Sequence, residues 1–176
     1  MNRALPIFVD PPKRGNSRAP GSLDPQQVEL IGRSLLVGEL LRDGLEVALP
    51  ERDRGIDLIA YVDGLSEPGG TFTARPIQLK ARTEPAFSVH RKYERIPSLL
   101  IADIWYVQRP VDLEIYCVTY VEALAIATTM GWTKTPSWEA GMYRMNRPSV
   151  RLRQLLGPYR MGPGKWRTKV TGNSTT

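Results

Sequence analysis

The apolar residues of this chain change period once, and early. Val28, Ile31, Leu35, Leu36 and Leu40 recur at helical spacing, with Leu30, Val37 and Leu41 on the opposite side. Asp24-Pro25 reads as an N-cap followed by a first-turn proline, so a helix is expected to run to about Arg42 and stop near Gly44. From Leu45 the spacing falls to two, the period of a half-buried strand. Leu45 to Leu49 is a short strand candidate, and Ile56 to Val62 is a second, with Ile56, Leu58, Ala60 and Val62 on one face. Residues 63–70 hold three glycines and a proline, a turn. Thr71 to Ala81 is a third strand, in which Pro76 is tolerated near the start or at an edge.

Short loops between these strands predict an antiparallel meander. Residues 84–98 read as a loop with room for a short helix. Ile101 to Gln108 and Leu113 to Val118 are two further strands. Val121 to Met130 is a helix ended by Gly131, and Ser149 to Leu156 a shorter one. A helix, three strands, two more strands and a helix predict a mixed α/β domain around one central sheet.

At 176 residues the chain is long enough for one domain with tails. Residues 1–24 mix Pro, Gly, Ser and Arg without period and are expected to form a flexible basic arm. Residues 161–176 are expected to be a flexible basic tail, which leaves residues 25–160 as the folded domain, with a helical extension from about 121. The placement of charge is informative. The net charge is +6, while residues 25–159 carry 16 basic and 16 acidic side chains, so the excess lies in the ends. After Glu139 there is no acid, and eight basic residues follow. A one-sided field suits a polyanion such as nucleic acid.

Cys117 is the only cysteine, which excludes an intrachain disulfide and a cysteine-rich zinc site. The lone thiol and the lack of a basic start followed by an apolar core fit a cytoplasmic protein without a secretory signal. The longest apolar run, Leu99 to Val107, is broken by Asp103 and falls far short of the roughly 20 residues a membrane span needs. His90 is the only histidine, so Ser-His-Asp chemistry and histidine metal sites have little support. Gly162-Pro163-Gly164-Lys165 has the wrong spacing for a phosphate loop.

Four residues stand out from the pattern. Glu39 falls near the middle of the first helix's apolar face, where a carboxylate is costly to bury unless something pairs with it. Gly32, close to the same face, would let the helix approach another element closely. Asp57 sits in a strand, where aspartate is disfavoured. In Ile77-Gln78-Leu79-Lys80-Ala81 the apolar residues face one side, while Gln78 and Lys80 project together from the other.

A helical carboxylate, a strand aspartate and an oxygen acceptor two residues before a lysine resemble the PD-(D/E)xK nuclease superfamily. Asp57 within Gly55-Ile56-Asp57-Leu58-Ile59-Ala60 matches the family's aspartate, Gln78-Leu79-Lys80 its (D/E)-x-K, and Glu39 its first-helix glutamate. The resemblance covers about residues 25–118 and is nearest the resolvase, restriction and homing endonuclease branches. It implies a restriction-endonuclease-like fold, a central mixed sheet flanked by helices with an αβββαβ core. It also implies a catalytic set of Glu39, Asp57, Gln78 and Lys80, with Mg²⁺ or Mn²⁺ on Asp57, Gln78 and Glu39, acting on DNA. Gln78 departs from the usual acid, but its amide oxygen can still serve a hard cation. A homodimer is expected where both strands are cut, since that takes two sites.

Arg82, Arg91, Lys92 and Arg95 follow the Gln-x-Lys strand and are expected to contact phosphates. Arg151 and Arg153, interleaved with aromatic residues near the C-terminus, are candidates for the same role. Two other functions compete. One is a nucleic-acid-binding protein that keeps the fold without cleavage, as Gln78 suggests. The other is a protein-interaction module with a buried Glu39–Lys80 pair.

Overall fold

The computed structural model describes residues 22–52, 54–64 and 71–172. Most of the expected basic arm, residues 1–21, lies outside them. Helix α1 (Pro25–Arg42) begins in a reciprocal capping box: Gln27 N–H donates to Asp24 Oδ1 at 2.9 Å, and Asp24 N–H to Gln27 Oε1 at 2.8 Å. Strands β1 (Glu46–Ala48), β2 (Leu58–Asp63) and β3 (Phe72–Ala81) then form the expected antiparallel meander.

The crossover from β3 differs from the αβββαβ expectation. Strand β4 (Ala86–His90) and a 3₁₀ turn, Arg91–Arg95, stand where the second helix should be. They lead to β5 (Leu100–Trp105), which pairs with β3 in parallel, and β6 (Glu114–Thr119) closes the sheet antiparallel to β5. The result is a five-stranded mixed sheet in the order β1-β2-β3-β5-β6.

Helix α2 (Tyr120–Thr129) follows, then the single turn α3 (Pro136–Glu139) and strand β7 (Met142–Asn146). β7 pairs only with β4, making a separate two-stranded ribbon that the residue pattern did not predict. Helices α4 (Val150–Leu156) and α5 (Lys165–Thr171) complete the described chain. None of these helices is long and apolar enough to cross a membrane.

The sheet is buried on both faces. Leu36 and Leu40 of α1 pack with Leu58, Ala60, Ile77, Leu79, Leu100 and Ala102 on one side. Phe87, Val89, Ile101, Trp105, Ala123 and Leu152 form the core of the other. Strand alternation follows from this: Ile77 and Leu79 turn toward α1, and Gln78 and Lys80 turn away.

The expectation of a flexible tail from 161 is corrected up to Gly172. Trp166 and Val170 of α5 are fully buried in the α1-side core. The Asp43 carboxylate accepts from Gly164 N–H at 2.8 Å and Trp166 N–H at 2.7 Å, and so caps α5 from a distant part of the chain. A helix of seven residues with two apolar anchors has too short a periodic stretch to stand out in a basic sequence. Residues 173–176 lie outside the described ones.

Candidate functional site

Register explains where a site can open. The pairing of β2 with β3 ends at Leu58–Ile77, while β3 runs on to Ala81 beside β5. The sheet therefore forks, and the β2-side edge of β3 lacks a strand from residue 78. Asp57 stands at the fork. Its N–H donates to Ile77 O at 2.9 Å, the last main-chain link between the two segments. Its carboxylate then takes the place of a strand: Oδ2 accepts from Leu79 N–H at 2.6 Å. This satisfies a main-chain donor that the fork would otherwise strand.

Asp57 Oδ2 also accepts from the Gln78 amide Nε2. The other end of that amide, Oε1, accepts from the Tyr93 hydroxyl at 3.1 Å. The ammonium of Lys80 lies 5.7 Å from the centre of the same Tyr93 ring, and that of Lys92 lies 5.2 Å from it. Asp57, Gln78 and Lys80 line one cleft of about 270 Å³, together with Pro25, Glu29 and Arg82. Three of the four expected catalytic residues thus meet.

Glu39 does not join them. It pairs with Arg42, one turn on in its own helix, and does not line the cleft. The reason is geometric. Gly32 lies against Ala81 and so fixes the N-terminal half of α1 beside the end of β3. Glu29 stands one turn before that contact. Glu39 stands ten residues further along, about 15 Å at 1.5 Å per residue. Glu29, exposed and paired with Arg33 at 2.7 Å, is the helix carboxylate that reaches the cleft. The buried Glu39–Lys80 pair of the interaction-module reading is overturned with it.

Among the described residues no three His, Cys, Asp or Glu side chains gather as a metal cluster. The carboxylates lining the cleft are those of Asp57 and Glu29, while the Gln78 amide turns its N–H to Asp57 and its oxygen to the Tyr93 hydroxyl. Mg²⁺ commonly takes one or two carboxylates alongside waters and substrate phosphates, and the Gln78 oxygen would join such a set only with its amide turned over.

Around Lys80 lies a polar seam that the residue pattern had not assembled. Asp103, in register with Lys80 across β3–β5, is fully buried and accepts from Arg82 Nε at 3.0 Å. Burial raises its pKa above the usual carboxylate range, and Arg82 pulls it back in part. Arg82 also donates to Ser88 Oγ at 3.1 Å, which ties β3 to β4. His90, partly buried close by, has its pKa pushed down to about 4, by burial first and then by Lys80, Lys92 and Arg82. The interruption of the Leu99 to Val107 run by Asp103 was the sequence signal for this seam. Tyr93 had none beyond being an aromatic inside a charged stretch.

The expected phosphate-binding residues divide. Arg91, Lys92 and Arg95 are exposed on the 3₁₀ turn beside the cleft. Arg82 lines the cleft but commits its guanidinium to Asp103 and Ser88. Arg153 is withdrawn from such contacts by a pair with Glu114 at 3.0 Å and by its place over the Trp105 ring. Arg151 is exposed on α4, donates to Thr129 O at 3.1 Å and lines neither the cleft nor the turn beside it. No known protein family, no curated protein and no solved structure matches this chain, so the chemistry proposed below rests on its own residues.

Proposed function

We propose that this chain is a metal-dependent endonuclease that hydrolyses phosphodiester bonds in DNA. The observation that carries the proposal is the meeting of Asp57, Gln78 and Lys80 at the β2–β3 fork, with Glu29 lining the same cleft. Mg²⁺ or Mn²⁺ held by Asp57 and Glu29, and by Gln78 once its amide is turned over, would supply Lewis acidity toward a phosphate oxygen and acidity to bound water.

The chain's own residues supply position and charge. Leu79 N–H orients the Asp57 carboxylate, and the Tyr93 hydroxyl orients the Gln78 amide. Lys80 brings positive charge to the cleft, where negative charge builds on the phosphate oxygens during attack. Glu29 can leave its exposed pair with Arg33 at little cost, since such surface pairs contribute about 0.2–1 kcal/mol.

The test is cleavage of supercoiled plasmid and of a branched DNA with Mg²⁺ or Mn²⁺. The parent should cut. Asp57→Ala and Lys80→Ala should each lower the rate by about 10²-fold or more. Glu29→Ala should cut poorly, and Glu39→Ala should cut like the parent. Loss of activity in Glu39→Ala with Glu29→Ala intact would reassign the helix carboxylate.

A second reading has its own support. The Gln78 amide donates to Asp57 Oδ2, which places an N–H against a carboxylate oxygen that a cation would need. A binding protein that kept the fold and lost the chemistry would look the same. No cutting by the parent with either ion, and DNA affinity unchanged in Lys80→Ala, would favour it.

A further inference from the structure

Beside the cleft lies a second recess of about 540 Å³, lined by Arg54, Gly55, Lys92, Tyr93, Arg95 and Ile96. Two of its residues lie against Gln78 of the cleft. The Tyr93 hydroxyl donates to the Gln78 amide oxygen. A Cβ on Gly55 would lie 3.7 Å from that oxygen and 4.0 Å from the Tyr93 ring, and the φ of Gly55, +87°, is one that L side chains rarely adopt.

The lining has two chemistries. Arg54, Lys92 and Arg95 are exposed cations, and among the described residues none of the three is ion-paired and no carboxylate lines the recess. This contrasts with Arg33, Arg42, Arg109, Arg153 and Lys169, each of which has a carboxylate partner. Ile96 and Tyr93 add apolar surface to the lining. A duplex backbone needs only a row of cations on an open surface. A recess that combines an isoleucine and a tyrosine with three cations suits a base taken out of its stack, with the cations on its phosphates.

We infer that this recess holds the nucleotide next to the phosphate in the cleft, with its base unpaired. The preferred substrate is then DNA with unpaired nucleotides, such as a bulge, a flap or a single strand, over intact duplex. The inference rests on the phosphodiester chemistry proposed for the adjoining cleft. It is separable from it, because binding can be measured without metal.

The experiment is fluorescence anisotropy in EDTA with three labelled oligonucleotides: a single strand, a matched duplex and the same duplex with a one-nucleotide bulge. The parent should bind the bulged and single-stranded probes about tenfold more tightly than the duplex, the scale of one base contact. Arg95→Ala and Lys92→Ala, both exposed and expected to fold, should weaken binding of all three probes. Ile96→Trp, which fills the recess without removing a cation, should abolish the preference while keeping duplex affinity. Equal affinity for the three probes, or unchanged binding in Arg95→Ala, overturns the inference. A bulge preference without cleavage in Mg²⁺ or Mn²⁺ sinks the nuclease proposal and leaves the recess standing. Cleavage of intact duplex with no preference does the reverse.

Discussion

His90 shows what tertiary packing does to one side chain. In sequence it is a lone histidine in a charged stretch. In the fold it faces Lys80, Lys92 and Arg82 from a partly buried position, and its pKa falls from 6.5 to about 4. Protonation is therefore harder in the folded than in the unfolded state. The unfolded chain binds more protons between these two values, so this group makes stability fall as the pH drops from 6.5 toward about 4. Asp103, whose pKa is raised, contributes the opposite slope above its ordinary value, so the parent's curve alone is a mixture. The difference between parent and His90→Asn isolates the histidine. Urea unfolding across that pH range should show the parent losing stability relative to the variant as the pH falls. A constant difference would mean that His90 titrates normally. At this scale Asp57, Gln78 and Lys80 were legible only together: an aspartate at the entry to one strand and a Gln-x-Lys pair on one face of the next. Tyr93 was not, since a buried tyrosine breaks no local rule.

Between elements, the fit of α1 on β3 decides which of its carboxylates faces the chemistry. The helical period places Glu39 on a face, but a face is a direction about the axis and says nothing about position along it. That position is set by Gly32, where an added Cβ would lie 2.3 Å from Ala81 Cβ. Gly32→Ala should force helix and strand apart and cost about 1–3 kcal/mol, as overpacking does. Thermal unfolding by circular dichroism should show a lowered midpoint, and the displaced Glu29 should weaken Mn²⁺ binding beyond what stability explains. An unchanged midpoint would mean the helix can slide without loss. The crossover from β3 to β5 is a second case. Parallel pairing demands a crossover but does not dictate a helix. Here β4 serves instead because β7, more than fifty residues later, pairs with it along its whole length. A partner that distant leaves no mark on the local pattern.

The whole molecule depends on its C-terminal segment more than its composition suggests. Trp166 is fully buried under α5 against the α1-side core, and Arg75 of β3 donates to Val170 O at 3.2 Å. Trp166→Ala should cost about 3–5 kcal/mol, a large share of a domain's net stability. A urea denaturation midpoint close to the parent's would show that the segment is dispensable. Local patterning was enough to determine α1 and its cap, the β1–β3 meander, the strands β5 and β6, the helices α2 and α4, and the Asp57 and Gln-x-Lys placements. Those features depend on propensity and on periods of 3.6 and 2, which neighbouring residues carry themselves. The tertiary structure alone decided the rest: Glu29 in place of Glu39, the β4–β7 ribbon, the Asp103–Arg82 seam and the docking of α5. Each of these joins residues through packing or pairing across the fold, and register, burial and axial position are properties of the assembled molecule that no short stretch of chain contains.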